Sequence, residues 1–185
     1  FIYTIPNFQN PTGITMSLAK RRRLYELAVQ HGVVIIEDDP YGELRFKGEF
    51  LPAIKSFDTE GAVIYSGSFS KVLAPGIRVG YAVANRQLLS KMTVCKQTDD
   101  VHTGIFSQML AYRFMKEYDF EAHLTKLRAI YRQKAELAMR CARESFGNLV
   151  SFYPVEGGLF LWCRLPEQIN MLEFCKKGIE NGVAE

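Results

Sequence analysis

Val33-Val34-Ile35-Ile36 is an unbroken run of β-branched residues, and Glu37, Asp38 and Asp39 follow it at once. A strand with one wet face alternates apolar and polar residues. Four apolar residues in a row therefore predict a strand over 33–36 covered on both faces, the pattern of a parallel sheet between helices. Such a sheet presents chemistry at the carboxyl ends of its strands, where the three carboxylates stand. The pattern recurs. Residues 62–65 are apolar and lead into Ser66-Gly67-Ser68-Phe69-Ser70-Lys71, and 79–84 predict a further strand after Pro75 and Gly76. Residues 1–5 read as a short strand, ended by Pro6 and the turn-rich Asn7-Phe8-Gln9-Asn10-Pro11-Thr12-Gly13.

Ser17 is placed to cap a helix whose positions Leu24, Leu27, Ala28 and His31 recur at helical spacing, with Gly32 ending it. From Arg86 onward the pattern is helical. Phe120, Leu124, Leu127, Tyr131, Ala135, Ala138 and Ala142 advance in steps of three and four. A helix carrying this stripe spans about 40 Å at 1.5 Å per residue, long enough to leave one domain and enter another. Residues 150–153 and 159–163 predict paired strands around Glu156-Gly157-Gly158, with a helix near 171–180. The organisation expected is an α/β large domain with a mostly parallel sheet over 1–118, a long connecting helix over 119–146, and the start of a smaller α+β unit over 147–185.

With 48% hydrophobic and 23% charged residues in 185, disorder, collagen and simple coiled coil are poor readings. The net charge of +3 is too slight and too dispersed to imply a nucleic-acid or membrane partner. Lys20-Arg21-Arg22-Arg23 reads as a solvated helix face. Lys71 and Arg78 interrupt the most apolar region, so no run reaches the roughly 18 residues that cross a bilayer. Cys95, Cys141, Cys163 and Cys175 stand far apart with no secretory leader before them, as reduced thiols of a cytoplasmic protein do. The chain opens on Phe1 inside an apolar run and stops just after Val183-Ala184, and both ends look cut.

Lys71 follows an apolar strand in a Gly/Ser-rich bend with no acidic neighbour in sequence. In a dry site such an amine loses its proton and attacks carbonyls, whereas in a wet one it is an ordinary loop lysine. Ser68, Ser70 and Arg78 flank it and offer hydroxyls and a guanidinium suited to a phosphate. Asp38 needs a cationic or donor partner to stay ionised at a strand end, and a pyridinium nitrogen would serve. A helix cap is the alternative for the acidic run, weakened by Pro40, Tyr41 and Gly42 directly after it. A metal site is another, weakened because His31, His102 and His123 show no ligand spacing to these carboxylates. Ser68 and Lys71 also satisfy S-x-x-K, the β-lactamase nucleophile motif, but its S-D-N and K-T-G partners are absent and Pro75-Gly76 interrupts any helix.

Together, Asn10-Pro11-Thr12-Gly13, Asp38-Asp39-Pro40-Tyr41, Ser68-Phe69-Ser70-Lys71 and Arg78-Val79-Gly80-Tyr81 resemble the fold-type-I pyridoxal-phosphate (PLP) aminotransferases. The wording is closest to the 2-aminoadipate and kynurenine aminotransferase branch. The resemblance covers nearly the whole chain, including the long helix and Glu156-Gly157-Gly158-Leu159-Phe160-Leu161-Trp162. It implies a three-layer α/β/α large domain, an enzyme that moves an amino group between an amino acid and a 2-oxo acid, and a cytoplasmic homodimer. The donor would be aminoadipate-like, aromatic or branched. The same resemblance implies that Lys71 holds PLP as a Schiff base and moves the substrate proton. Asp38 would pair with the pyridinium nitrogen, Asn10 and Tyr41 would bond the ring 3′ oxygen, and Ser68, Ser70 and Arg78 would anchor the phosphate. The family's phosphate loop, its ring-stacking aromatic and its carboxylate-binding arginine are missing from these residues, so the isolated chain is expected to be inactive. Residues 96–103 are a candidate dimer loop or an ordinary helix connection. The alternative function is the PLP-binding sensor domain of a bacterial transcription regulator.

Overall fold

The computed structural model describes residues 1–183. A four-stranded sheet runs in the order β1 (Ile2–Thr4), β2 (Ile35–Asp38), β3 (Val63–Ser68), β4 (Gly80–Val83). The first three strands are parallel and β4 is antiparallel to β3, giving an α/β fold with a mixed, mostly parallel sheet. Helix α1 (Leu18–Gln30) joins β1 to β2, and Ser17 caps it by accepting from Lys20 N–H at 3.4 Å. Ala28, Leu24 and Tyr25 pack against Ile2, Ile35, Val63 and Ile54 on one face of the sheet. Because strand residues alternate between faces, Tyr3, Ile36 and Asp38 stand on the other.

Two expectations shift here. β2 starts two residues later than the apolar run, because Val33 is spent on closing α1. Gly32 takes a left-handed φ of 62°, its N–H donates to the Val29 carbonyl, and Val33 N–H donates to that of Ala28. This is a glycine-centred helix stop with both reverse bonds made. His31, placed on the apolar side from spacing alone, is exposed at the C-cap.

Arg21 overturns the solvated-face reading of the basic run. It is 0% exposed. Its Nε donates to the Met16 carbonyl at 2.9 Å, Nη1 to Pro52 at 3.0 Å, and Nη2 to Pro6 at 3.1 Å and to Asn7 Oδ1 at 2.6 Å. Its neighbours behave differently: Arg22 lies over the Phe57 ring and Arg23 pairs with Glu26 at the surface. Glu37, also fully buried, accepts from the N–H groups of Ile54 and Lys55 at 2.7 and 2.8 Å. It thereby caps the 3₁₀ turn Ile54–Phe57.

Asp58 ties that turn to β3. It pairs with Lys55 at 2.7 Å and accepts from the N–H groups of Ala62 and Val63. Burial pushes its carboxyl up, but the Lys55 ammonium and the two amides outweigh burial and hold it below the ordinary 3.8. Its contribution is therefore present above that value and lost as pH falls through the lower folded one. We expect Asp58→Asn to cost about 1–3 kcal/mol at pH 7. Urea unfolding at a series of pH values checks it: the gap between wild type and variant should close in the acid range, and a gap constant with pH would refute the assignment.

After β4 come α2 (Arg86–Asp99), α3 (Ile105–Glu117) and α4 (Phe120–Phe146). The 27-residue α4 has the expected length, capped by Asp119 and ended at Gly147. Its inner stripe runs through Phe120, Leu124, Leu127, Tyr131, Ala135 and the buried Ala142, and leaves the expected line only at Ala138. Ala138 is exposed, and Met139 turns inward to accept from Val155 N–H.

The predicted strand pair is also shorter than expected. β5 (Ser151–Phe152) and β6 (Cys163–Arg164) are antiparallel but two residues long. The segment between them docks elsewhere. The Glu156 carbonyl accepts from Phe46 and Lys47 N–H, Gly157 bridges Arg45, and Gly158 N–H donates to Leu44. Phe8 explains the two glycines, because a methyl on Gly157 would lie 2.2 Å from its ring. Buried Arg45 lies over the same ring and pairs with Glu156. Helix α5 (Met171–Glu180) closes the described chain.

Candidate active site

Strand register builds the first part of the site. Asp38 pairs with Ser66 across β2 and β3, so their side chains project from the same face. Asp38 Oδ1 accepts from Ser66 Oγ at 2.8 Å, and Oδ2 accepts from the Tyr3 hydroxyl at 2.5 Å. The bond to Asp38 is the main reason the Tyr3 phenol is pushed up to about 12, since a phenolate beside a carboxylate is disfavoured; burial adds to it.

Asp39 is tied into the framework instead. Its N–H donates to the Ser66 carbonyl, Oδ1 accepts from Asn7 Nδ2 at 3.0 Å, and Oδ2 accepts from the Tyr65 hydroxyl at 3.1 Å. Asn7 in turn is held by Arg21. Burial and then the Asp39 charge push the Tyr65 phenol far above its usual range. Adjacent carboxylates are thus sorted by their partners, Asp39 bonded on both oxygens to groups that anchor loops and Asp38 to two hydroxyls on neighbouring strands.

Buried Tyr41 meets the Phe160 ring edge-on at 5.4 Å; burial raises its phenol, and the nearby exposed Asn10 side chain partly opposes that. The turn carrying Asn10 is braced by Gln9, whose Oε1 accepts from both the N–H and the hydroxyl of Thr12. Gly13 closes it at φ 65°, and a methyl there would stand 2.9 Å from the Phe160 carbonyl oxygen.

The bend after β3 gathers donors. Ser68 and Ser70 hydroxyls are 2.9 Å apart, and Arg78 Nη1 donates to Ser70 Oγ at 3.2 Å. Arg78 has left-handed backbone angles, φ 54° and ψ 46°, a conformation that costs a non-glycine residue about 1 kcal/mol or more. That kink follows the 3₁₀ turn Pro75–Ile77 and leads into β4. Lys71 is half-buried and, among the described residues, joined to no partner by hydrogen bond or ion pair. Beside it, the Val72 carbonyl accepts from His123 Nε2 at 2.8 Å, fastening the lysine segment to α4. His31 and His102 are exposed, and no group of three His, Cys, Asp or Glu among the described residues is placed to hold a metal.

Of the sequence candidates, Ser68, Ser70 and Arg78 are joined by hydrogen bonds and Asn10 stands near Tyr41, while Asp38 is bonded to Ser66, which was not among them. Lys71 directly follows Ser70. Two hydroxyls and a guanidinium with no carboxylate among them suit a phosphate dianion, an unpaired amine suits a carbonyl, and a hydroxyl-bonded carboxylate suits a protonated ring nitrogen. This donor set fits PLP. Sequence reading missed Tyr3, Ser66, Asn7, Arg21 and Tyr65. Period-two alternation could have put Tyr3 on the face of Asp38, but only once the β1–β2 register was known.

The family model "Aminotransferase class I and II" matches residues 3–184. Aromatic-amino-acid aminotransferase 1 of Thermococcus litoralis is 41% identical, over 99% of this chain and 44% of its own length. The 2-aminoadipate transaminase of Thermus thermophilus is 38% identical, over 100% and 47%. A crystal structure of Pyrococcus horikoshii kynurenine aminotransferase, solved in complex with PMP, superposes with a TM-score of 0.92 at 40% identity, covering 98% of this chain and 45% of that one. The chain spans about half the length of the curated relatives it matches.

Proposed function

The chain belongs to the class I and II aminotransferase family, and from that premise we propose that the complete protein is a PLP-dependent aminotransferase acting between an amino acid and a 2-oxo acid. The observation that carries the reading is the Ser68, Ser70 and Arg78 cluster beside an unpaired Lys71. When bound, the cofactor supplies an electron sink for the bond broken at the substrate α-carbon. The residues of this chain do the rest. Lys71 Nζ would tether the cofactor and move the proton, Asp38 would pair with the ring nitrogen, Asn10 and Tyr41 would bond the ring 3′ oxygen, and Ser68, Ser70 and Arg78 would hold the phosphate.

Further parts of the reading carry over from the family resemblance. The substrate is aminoadipate-like, aromatic or branched. Residues 1–118 belong to the large domain, 119–146 connect it, and 147–185 begin the small one. The protein works as a homodimer, with 96–103 at the interface, and the 185-residue chain alone does not turn over. Cys95, Cys141 and Cys163 stand as free thiols, which accords with a reducing cytoplasm. No helix among the described residues is long and apolar enough to cross a membrane. Relatives that share the whole chain and are named as aminotransferases favour the enzyme over the regulator.

The test is titration of the complete apo-protein with PLP, followed by a panel of amino acids with conversion to the pyridoxamine form read by absorbance. Arg78→Leu should raise the dissociation constant for PLP tenfold or more, since a charged hydrogen bond to phosphate contributes about 1.5–3 kcal/mol. Unchanged affinity would remove Arg78 from the site. Tight binding with no conversion of any amino acid would favour the sensor reading.

A further inference from the structure

We propose that Tyr3 is a positioning residue for Asp38: its phenol, acting with the Ser66 hydroxyl, fixes the direction the carboxylate faces and so how firmly it holds a protonated ring nitrogen. The second half of this statement rests on the cofactor reading above; the first half is a property of the sheet itself.

Three adjacent parallel strands supply the three groups. Tyr3 pairs with Ile36 and Asp38 pairs with Ser66, and alternation puts Tyr3, Ile36, Asp38 and Ser66 on one face. Tyr3 lies diagonally from Asp38, two residues along β2, a reach that a phenol can span and a serine cannot. Each carboxylate oxygen receives one hydroxyl, at 2.5 Å from Tyr3 and 2.8 Å from Ser66. With a donor on each side, the carboxylate cannot rotate about its terminal bond without losing both. Each oxygen keeps a lone pair free, so the clamp orients the group without using it up.

Two features separate this role from packing. Tyr3 is 55% exposed in this chain, in a strand whose core contact is made by Ile2, and replacing it by Phe keeps the ring and removes only the hydroxyl. The phenol also keeps its proton well past neutrality, because the Asp38 bond, burial, and the charges of Asp38 and Tyr41 all raise its pKa, to about 12. It is therefore a constant donor over the range in which an aminotransferase works. Asp39, the other acidic side chain close by, is bound to Asn7 and Tyr65 and leaves Asp38 to Tyr3 and Ser66.

The experiment uses the complete protein in two arms. In the apo-protein, carbon-13 NMR of labelled tyrosine should show Tyr3 titrating near 12 and falling toward the ordinary 10.0 in Asp38→Asn. A wild-type Tyr3 that titrates at the ordinary value overturns the clamp whether or not any cofactor binds. In the PLP-loaded protein, Tyr3→Phe should leave the unfolding midpoint near wild type, as surface changes within about 0.5 kcal/mol do. It should raise the pH midpoint of the visible band of the Lys71-bound cofactor by about half a unit, because a loosened carboxylate holds the ring proton less firmly and the lysine nitrogen then holds its own more. It should also lower kcat roughly tenfold with KM nearly unchanged. A band midpoint and kcat equal to wild type overturn the positioning role. If wild type forms no lysine-bound species at all, the cofactor reading fails, and the apo titration still decides the clamp.

Discussion

Lys71→Ala in the complete protein is expected to abolish the borohydride-stable adduct between protein and PLP, and with it turnover. The argument is one of partners and placement. A lysine that reacts with a carbonyl must present an unpaired amine, and every lysine of this chain other than Lys55 and Lys71 is exposed at the surface. Lys55 is bonded to Asp58 and to the Val63 carbonyl, and Lys96 grips both oxygens of Asp100. Lys71 is half-buried, unpaired, and next to the donor cluster that would hold the phosphate of the same molecule. Mass spectrometry of reduced, digested protein reads the outcome. The modified peptide should contain residue 71 in wild type and be absent from Lys71→Ala. Trapping that persists on another lysine would remove Lys71 from the centre of the site. Cofactor retained without trapping by Lys71→Ala agrees with the proposal, because Arg78, Ser68 and Ser70 still hold the phosphate.

What could be read in the sequence divides along a physical line. Lys71, Ser68, Ser70, Arg78 and Asp38 could be proposed from the sequence because their evidence is local: a lysine without acidic neighbours, hydroxyls and a guanidinium within a few residues of it, a carboxylate at the end of an apolar run; Asn10 and Tyr41 came from the resemblance alone. The parallel strands and α1 were legible from periodicity and from the Ser17 and Gly32 punctuation. The rest depended on facts that no window contains. β2 starts late because Val33 is consumed in stopping α1. The 153–162 segment leaves the β5–β6 ladder because Phe8, far away in sequence, offers Gly157 and Gly158 a flat ring to dock on. The separate fates of Asp38 and Asp39 are decided by Tyr3, Ser66, Asn7 and Tyr65, which come from three other segments. Composition could say that adjacent carboxylates need partners; only register and loop packing say which partners they have.

Arg21 is the sharpest case. In sequence it is one of four consecutive basic residues, and three neighbours on a helix face point in different directions, so one of them can turn inward while the run as a whole looks solvated. Its guanidinium satisfies three carbonyls and Asn7 at once. It fastens the loop after β1, the lead-in to α1 and the segment before the 3₁₀ turn to one point. Burial lowers its pKa, opposed by Glu37 and Asp39, and a guanidinium stays charged in any case. Arg21→Leu would fill part of the volume but take this donor from the Met16 and Pro52 carbonyls and Asn7 Oδ1, leave the Pro6 carbonyl only its bond from Met16 N–H, and free Asn7 from its hold beneath Asp39. We expect a loss of about 3–5 kcal/mol, about a fifth or more of the stability of an ordinary domain. Arg21→Lys should recover only part of it, since an ammonium has three donors and no planar fork. Urea unfolding of the complete protein measures both, with the midpoint falling and the slope unchanged. A cost for Arg21→Leu below about 1 kcal/mol, the range of exposed ion pairs, would return the residue to the solvated face that its neighbours suggested.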